Sequence, residues 1–161
     1  MIEYWFPTMI YVQDLVNTFD QSFNDYCYRK IIDIKNNHKK VVPWHCNTYS
    51  TLDVINLSVD IQISKLIDVC KSHVSVFAKS FGLNCTVECV DCWGNIASPG
   101  EFQEKHVHPK SHFSLVYYVK CPENSGNTVF YSPYCDDMFP LPRFENNNNS
   151  TLSGVYKPIE S

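Results

Sequence analysis

Two histidines carry the strongest chemical signal in this chain. His106 and His108 stand in the run Glu104-Lys105-His106-Val107-His108-Pro109. On extended backbone, residues two apart point to one face. Two neutral imidazoles side by side are half of a transition-metal site. A mononuclear metal centre needs a cluster of protein ligands with open positions, so a third donor must come from a distant segment. His112 is a further candidate, since four residues along a strand keep the face, but Pro109 breaks that register. An isolated His-x-His is a weak signal, and both rings are otherwise ordinary surface residues before a proline. His38, His45 and His73 have no partner at ligand spacing and are expected to be surface or packed residues.

Positioning the pair falls to the segments around it. Residues 112–120 read as a strand, Asn124-Ser125-Gly126-Asn127 as a turn, and 128–131 as a second strand. The arrangement expected is a metal pair at the mouth of an antiparallel hairpin. Cys85 to Asn95 alternates loosely, and a further strand is expected over 153–157. Upstream, aromatic and β-branched residues over 4–12 predict an N-terminal strand. Leu15, Phe19, Phe23, Tyr26, Cys27 and Ile31 form one apolar stripe, with Asp14 as its candidate cap. Ile63, Leu66, Ile67, Cys70, Val74, Phe77, Ala78 and Phe81 form a clearer one, and Gly82 sits where a left-handed cap is wanted.

Composition narrows the field. The chain has 161 residues, 44% of them hydrophobic, enough for one domain with a real core. A formal net charge of -4 without basic clusters argues against nucleic acid as a partner. No apolar run reaches membrane-spanning length, and the first residues lack a signal peptide's pattern, so a cytoplasmic protein is expected. Eight cysteines invite a zinc or disulfide reading. Cys85, Cys89 and Cys92 do not share a strand face, and reduced, half-buried thiols are expected instead.

The series Trp93-Gly94-Asn95, His106-Val107-His108-Pro109, Tyr117-Tyr118-Val119, Pro122, Ser125-Gly126 and Phe130 resembles the 2-oxoglutarate/Fe(II)-dependent oxygenase superfamily, in particular a small family of bacterial and viral members. The opening, Trp5-Phe6-Pro7-Thr8 with Ile10-Tyr11, is similar to that family's start. The resemblance implies a mainly β fold with supporting α-helices: a double-stranded β-helix, or jelly-roll, incomplete at the C-terminus. It implies a single domain over 1–161, with 1–83 supplying an N-terminal strand and two supporting helices and 84–161 a truncated jelly-roll core. It also implies Fe(II) and 2-oxoglutarate as cofactors and oxidative hydroxylation of an unknown substrate.

Carried over by position, His106 takes the first metal-ligand place. His108 falls where the superfamily has a carboxylate, which raises the site's net charge by one unit. Tyr118 matches a tyrosine that reaches the 2-oxoglutarate carboxylate, or is a core aromatic. Asn95 is a candidate cosubstrate contact, and Trp93 is expected to pack.

The superfamily's distal histidine and its arginine anchor have no counterpart here. No histidine follows Phe113, and the only arginine beyond it is Arg143. Residues 154–161 read as the lead-in to the strand that would carry them, so a truncated or naturally short form is expected, inactive as it stands. Residues 133–150 form a Pro- and Asn-rich loop that either covers substrate or is a disordered insertion. Two further readings stay open: a non-catalytic jelly-roll binding module with a vestigial metal site, and a three-histidine cupin-type dioxygenase using His106, His108 and His112. An exposed sheet edge would favour a homo-oligomer.

Overall fold

The computed structural model describes residues 1, 8–41 and 46–131, together with the backbone of 149–150 and 153–156. The chain divides into two compact units. One spans 14–119, and the other joins 1–13 to 120–161.

The unit over 14–119 is built on two helices. Helix α1 spans Gln21–Asn37. Its cap is Asp20, whose carboxylate accepts from the Phe23 amide at 3.0 Å. The expected cap, Asp14, instead closes a separate turn by accepting from the Val16 amide at 2.8 Å. Leu15 therefore precedes the helix: the extended backbone of Asp20 (φ -83°, ψ 176°) breaks the stripe before Phe23. Cys27, Ile31 and Ile34, spaced four and three apart, are its buried face.

Helix α2 spans Ile61–Ser80 and follows a 3-10 turn at Leu57–Val59. Asp60 caps it, accepting from the Gln62 and Ile63 amides at 2.9 and 3.2 Å. Its end is a Schellman turn. Gly82 has φ +76°, its amide donates to the Lys79 carbonyl, and the Leu83 amide donates to that of Ala78. Cys27, Ile31, Ile34, Leu57 and Ile63 form the core, with Phe23, Cys92, Ile96 and Val119 among the residues packed on it. Across the helices, the Tyr26 hydroxyl donates to Asp60 Oδ2 at 2.7 Å, and Lys30 Nζ pairs with the same oxygen at 3.1 Å.

Strands are short. β1 (Tyr49–Ser50) pairs antiparallel with β2 (Asn95–Ile96), in the register Tyr49↔Ile96 and Ser50↔Asn95. In the other unit, β3 (Thr128–Tyr131) and β4 (Asn149–Ser150) flank β5 (Ser153–Tyr156), all antiparallel.

The expected mainly β jelly-roll is not what these residues form. The described residues hold helices of 17 and 20 residues and two small sheets, the larger with strands of four residues or fewer. Residues 84–94 and 112–120 carry no strand. Strand-forming composition needs a ladder partner to become a sheet, and here Phe113 and Tyr117 pack on helices instead. The Tyr117 hydroxyl donates to Asn24 Oδ1 at 2.8 Å, and its ring lies edge-on to Phe19 and Phe23 at 6.3 and 6.5 Å. Phe113 lies 5.9 Å from Phe77 of α2.

The expected hairpin changes partner for the same reason. The turn falls two residues earlier than the expected 124–127, with the Ser125 amide donating to the Pro122 carbonyl at 3.1 Å, and β3 pairs with β5. The strand expected over 153–157 is β5. Of the N-terminal strand expected over 4–12, residues 8–12 have no regular structure, and 4–7 lie outside the described residues. No helix among the described residues is long and apolar enough to cross a membrane.

Candidate metal centre

The segment that leads to the site is pinned along its backbone. The Leu57 amide donates to the Cys92 carbonyl at 2.8 Å. Gly94 is clamped to Thr51 from both sides: Thr51 N to Gly94 O, and Gly94 N to Thr51 Oγ1, each 3.0 Å. Thr51 is 0% exposed. Asn95 and Ile96 then enter β2. Gly94 is tightly walled, because a Cβ there would meet Ile31 Cδ1 at 2.7 Å and Cγ1 at 2.8 Å and force that side chain to shift. Sequence inspection marks the glycine but not the wall it faces.

The chain then turns at Ser98–Glu101, with Gly100 at φ +84°. The Ser98 amide donates to the Glu101 carboxylate at 2.7 Å, and Thr48 Oγ1 donates to the Phe102 carbonyl at 3.2 Å. The histidine segment beyond it is irregular. His106 Nδ1 lies 2.6 Å from the Glu104 carbonyl oxygen. With Nδ1 as the donor to that oxygen, Nε2 keeps its lone pair, the tautomer of a metal ligand. His106 is exposed and His108 partly buried. Their ring centroids lie 5.0 Å apart at an interplanar angle of 77°. Burial, helped by the charge of His106, lowers the pKa of His108 below its ordinary value and so favours the neutral ring.

The Ser111 amide donates to the His108 carbonyl at 3.1 Å, so Pro109 occupies the second position of a turn. That reversal takes His112 out of the row of the other two. No group of three His, Cys, Asp or Glu able to hold a metal occurs among the described residues, so the three-histidine cupin reading finds no cluster here.

Trp93, expected only to pack, lies with its ring centroid 5.7 Å from that of His108. Asn95 is exposed on β2, two residues beyond Trp93. Tyr118 is partly buried in the irregular run that also holds Tyr117. Arg143 and the greater part of the loop expected over 133–150 lie outside the described residues. The thiols form a separate feature. Burial raises Cys70 and Cys92 to about 11, with the nearby charge of Cys89 adding to both. These are inert, reduced cysteines in character.

Imidazole ligands whose nitrogens each sit about 2.1 Å from one ion bring their ring centroids to roughly 5 Å. The ring centroids of His106 and His108, 5.0 Å apart, are compatible with that spacing. Two histidine nitrogens are thus what the described residues would offer an Fe(II) ion, and no group of three His, Cys, Asp or Glu that could hold one occurs among them.

Residues 91–160 match the family described as "Putative 2OG-Fe(II) oxygenase". This part of the chain is similar to the 2-oxoglutarate/Fe(II)-dependent oxygenases, and both histidines and Trp93 fall within the matched stretch. Fe(II) and 2-oxoglutarate are the cofactors that this similarity implies. No curated protein and no solved structure matches the chain.

Proposed function

We propose that the chain is an Fe(II)- and 2-oxoglutarate-dependent oxygenase that hydroxylates a C–H bond of its substrate, with His106 and His108 holding the metal. The observation that carries this reading is the family match over 91–160, which spans a pair of imidazoles spaced as ligands of one ion. When bound, Fe(II) with 2-oxoglutarate supplies oxidation by dioxygen coupled to decarboxylation of the cosubstrate to succinate.

The residues of the chain do the rest. His106 presents Nε2 because its Nδ1 is committed to the Glu104 carbonyl. His108 stays neutral because its partial burial disfavours the imidazolium. Asn95 and Tyr118 are the proposed contacts of the cosubstrate's polar groups. The test is succinate release coupled to 2-oxoglutarate consumption with Fe(II) present. The reading requires release that the H106A/H108A variant lacks.

A second reading, a non-catalytic binding module that retains part of the metal site, is favoured by the lack of a three-donor group among the described residues. Metal binding without any turnover of 2-oxoglutarate would select it.

A further inference from the structure

The two candidate ligands are oriented by different means. His106 is held by its own backbone, through the 2.6 Å contact with the Glu104 carbonyl. His108 begins a turn at Pro109 in an irregular stretch, where the backbone alone leaves the ring free to rotate about two side-chain torsions. Its ring meets the indole of Trp93 at 5.7 Å and 36°, within the range of paired aromatic rings. Trp93 stands in an anchored stretch of the unit. The residue before it is bonded to Leu57, the residue after it is bonded twice to Thr51 and walled by Ile31, and the strand pairing with β1 begins one residue later.

We infer that Trp93 is a positioning residue: its indole transmits the order of the pinned 92–96 segment to the His108 ring and fixes the rotamer in which that ring faces His106. The inference rests on the reading of His106 and His108 as a metal pair. Groups that orient a ligand from behind commonly govern metal affinity without touching the metal. A flat, rigid indole suits this work on a ring whose other ring contact among the described residues is His106 itself. Phenylalanine keeps part of that face, and leucine fills the space without a ring.

The experiment compares wild type, W93F and W93L as full chains, with Co(II) alone as the probe. In the metal-free protein, the indole ring current should move the His108 ring protons upfield in a proton–carbon NMR spectrum. W93L should return them toward the positions of an exposed histidine. Co(II) affinity should fall about tenfold in W93L and recover most of that loss in W93F, with the two variants melting at similar temperatures.

Equal Co(II) affinity in wild type and W93L would overturn the inference and leave the metal reading standing. Unshifted His108 protons in wild type would likewise overturn it. A wild-type chain that binds no Co(II) while its His108 protons are shifted would overturn the metal reading, and the positioning role with it.

Discussion

At the scale of single residues, the proposed site would depend on two imidazoles that each leave a nitrogen lone pair to the metal. A depressed pKa at His108 favours its neutral ring, and a His106 Nδ1 that donates to the Glu104 carbonyl would leave Nε2 with its lone pair. H106A and H108A are each expected to abolish Fe(II) binding measured by anaerobic equilibrium dialysis, while far-UV circular dichroism stays unchanged. H112A is expected to leave binding intact, because the turn after His108 takes residue 112 elsewhere. The cysteines make a contrasting case. With thiols raised to about 11, Cys70 and Cys92 should react slowly with iodoacetamide at neutral pH. Their rates should climb about tenfold per pH unit as the thiolate forms, which peptide mapping after timed quenching would show.

At the scale of elements, Asp60 concentrates several roles in one carboxylate. It caps α2 and binds Tyr26 and Lys30 of α1. Burial pushes its pKa up. The hydrogen bonds from Tyr26, the Ile63 amide, Lys30 and the Gln62 amide outweigh that and hold it at about 2. Its contribution to stability is therefore complete above the ordinary value of 3.8 and is lost as pH falls through about 2. D60A is expected to cost about 3 kcal/mol in urea unfolding. D60N keeps a capping oxygen and should cost roughly half of that, while removing this part of the acid dependence. G94A should cost about 1–3 kcal/mol through overpacking. The cost should shrink in an I31V background, which removes the Cδ1 atom nearest the new methyl group.

These elements also show what the sequence made legible. The α2 stripe, its Gly82 cap and the 128–131 strand follow from local pattern alone. The start of α1 did not, because Asp14 and Asp20 are equally good caps by type and only the extended backbone at Asp20 decides between them. The strands expected at 85–95 and 112–120 failed for a non-local reason: an extended aromatic segment is a strand only when another chain segment completes its ladder. Tyr117 and Phe113 found helical surfaces instead.

At the scale of the whole molecule, the candidate site lies within the 14–119 unit, which also contains the hydrophobic core. The family match begins inside that unit and ends in the other. The histidine pair stands out in the sequence by its spacing, but the backbone over 104–108 that carries it is irregular and not the expected strand end. The contact between Trp93 and His108 was not legible there, because 15 positions of sequence separate partners that only the fold brings together.

The central claim is that His106 and His108 hold one ferrous ion. X-ray absorption on the Fe(II)-loaded chain, prepared without oxygen, tests it most directly. Two imidazole nitrogens on a single iron are predicted, and they should disappear together with the bound metal in H106A/H108A. Iron that keeps the same imidazole ligation in that variant, or a wild-type chain that takes up no iron, would contradict the account.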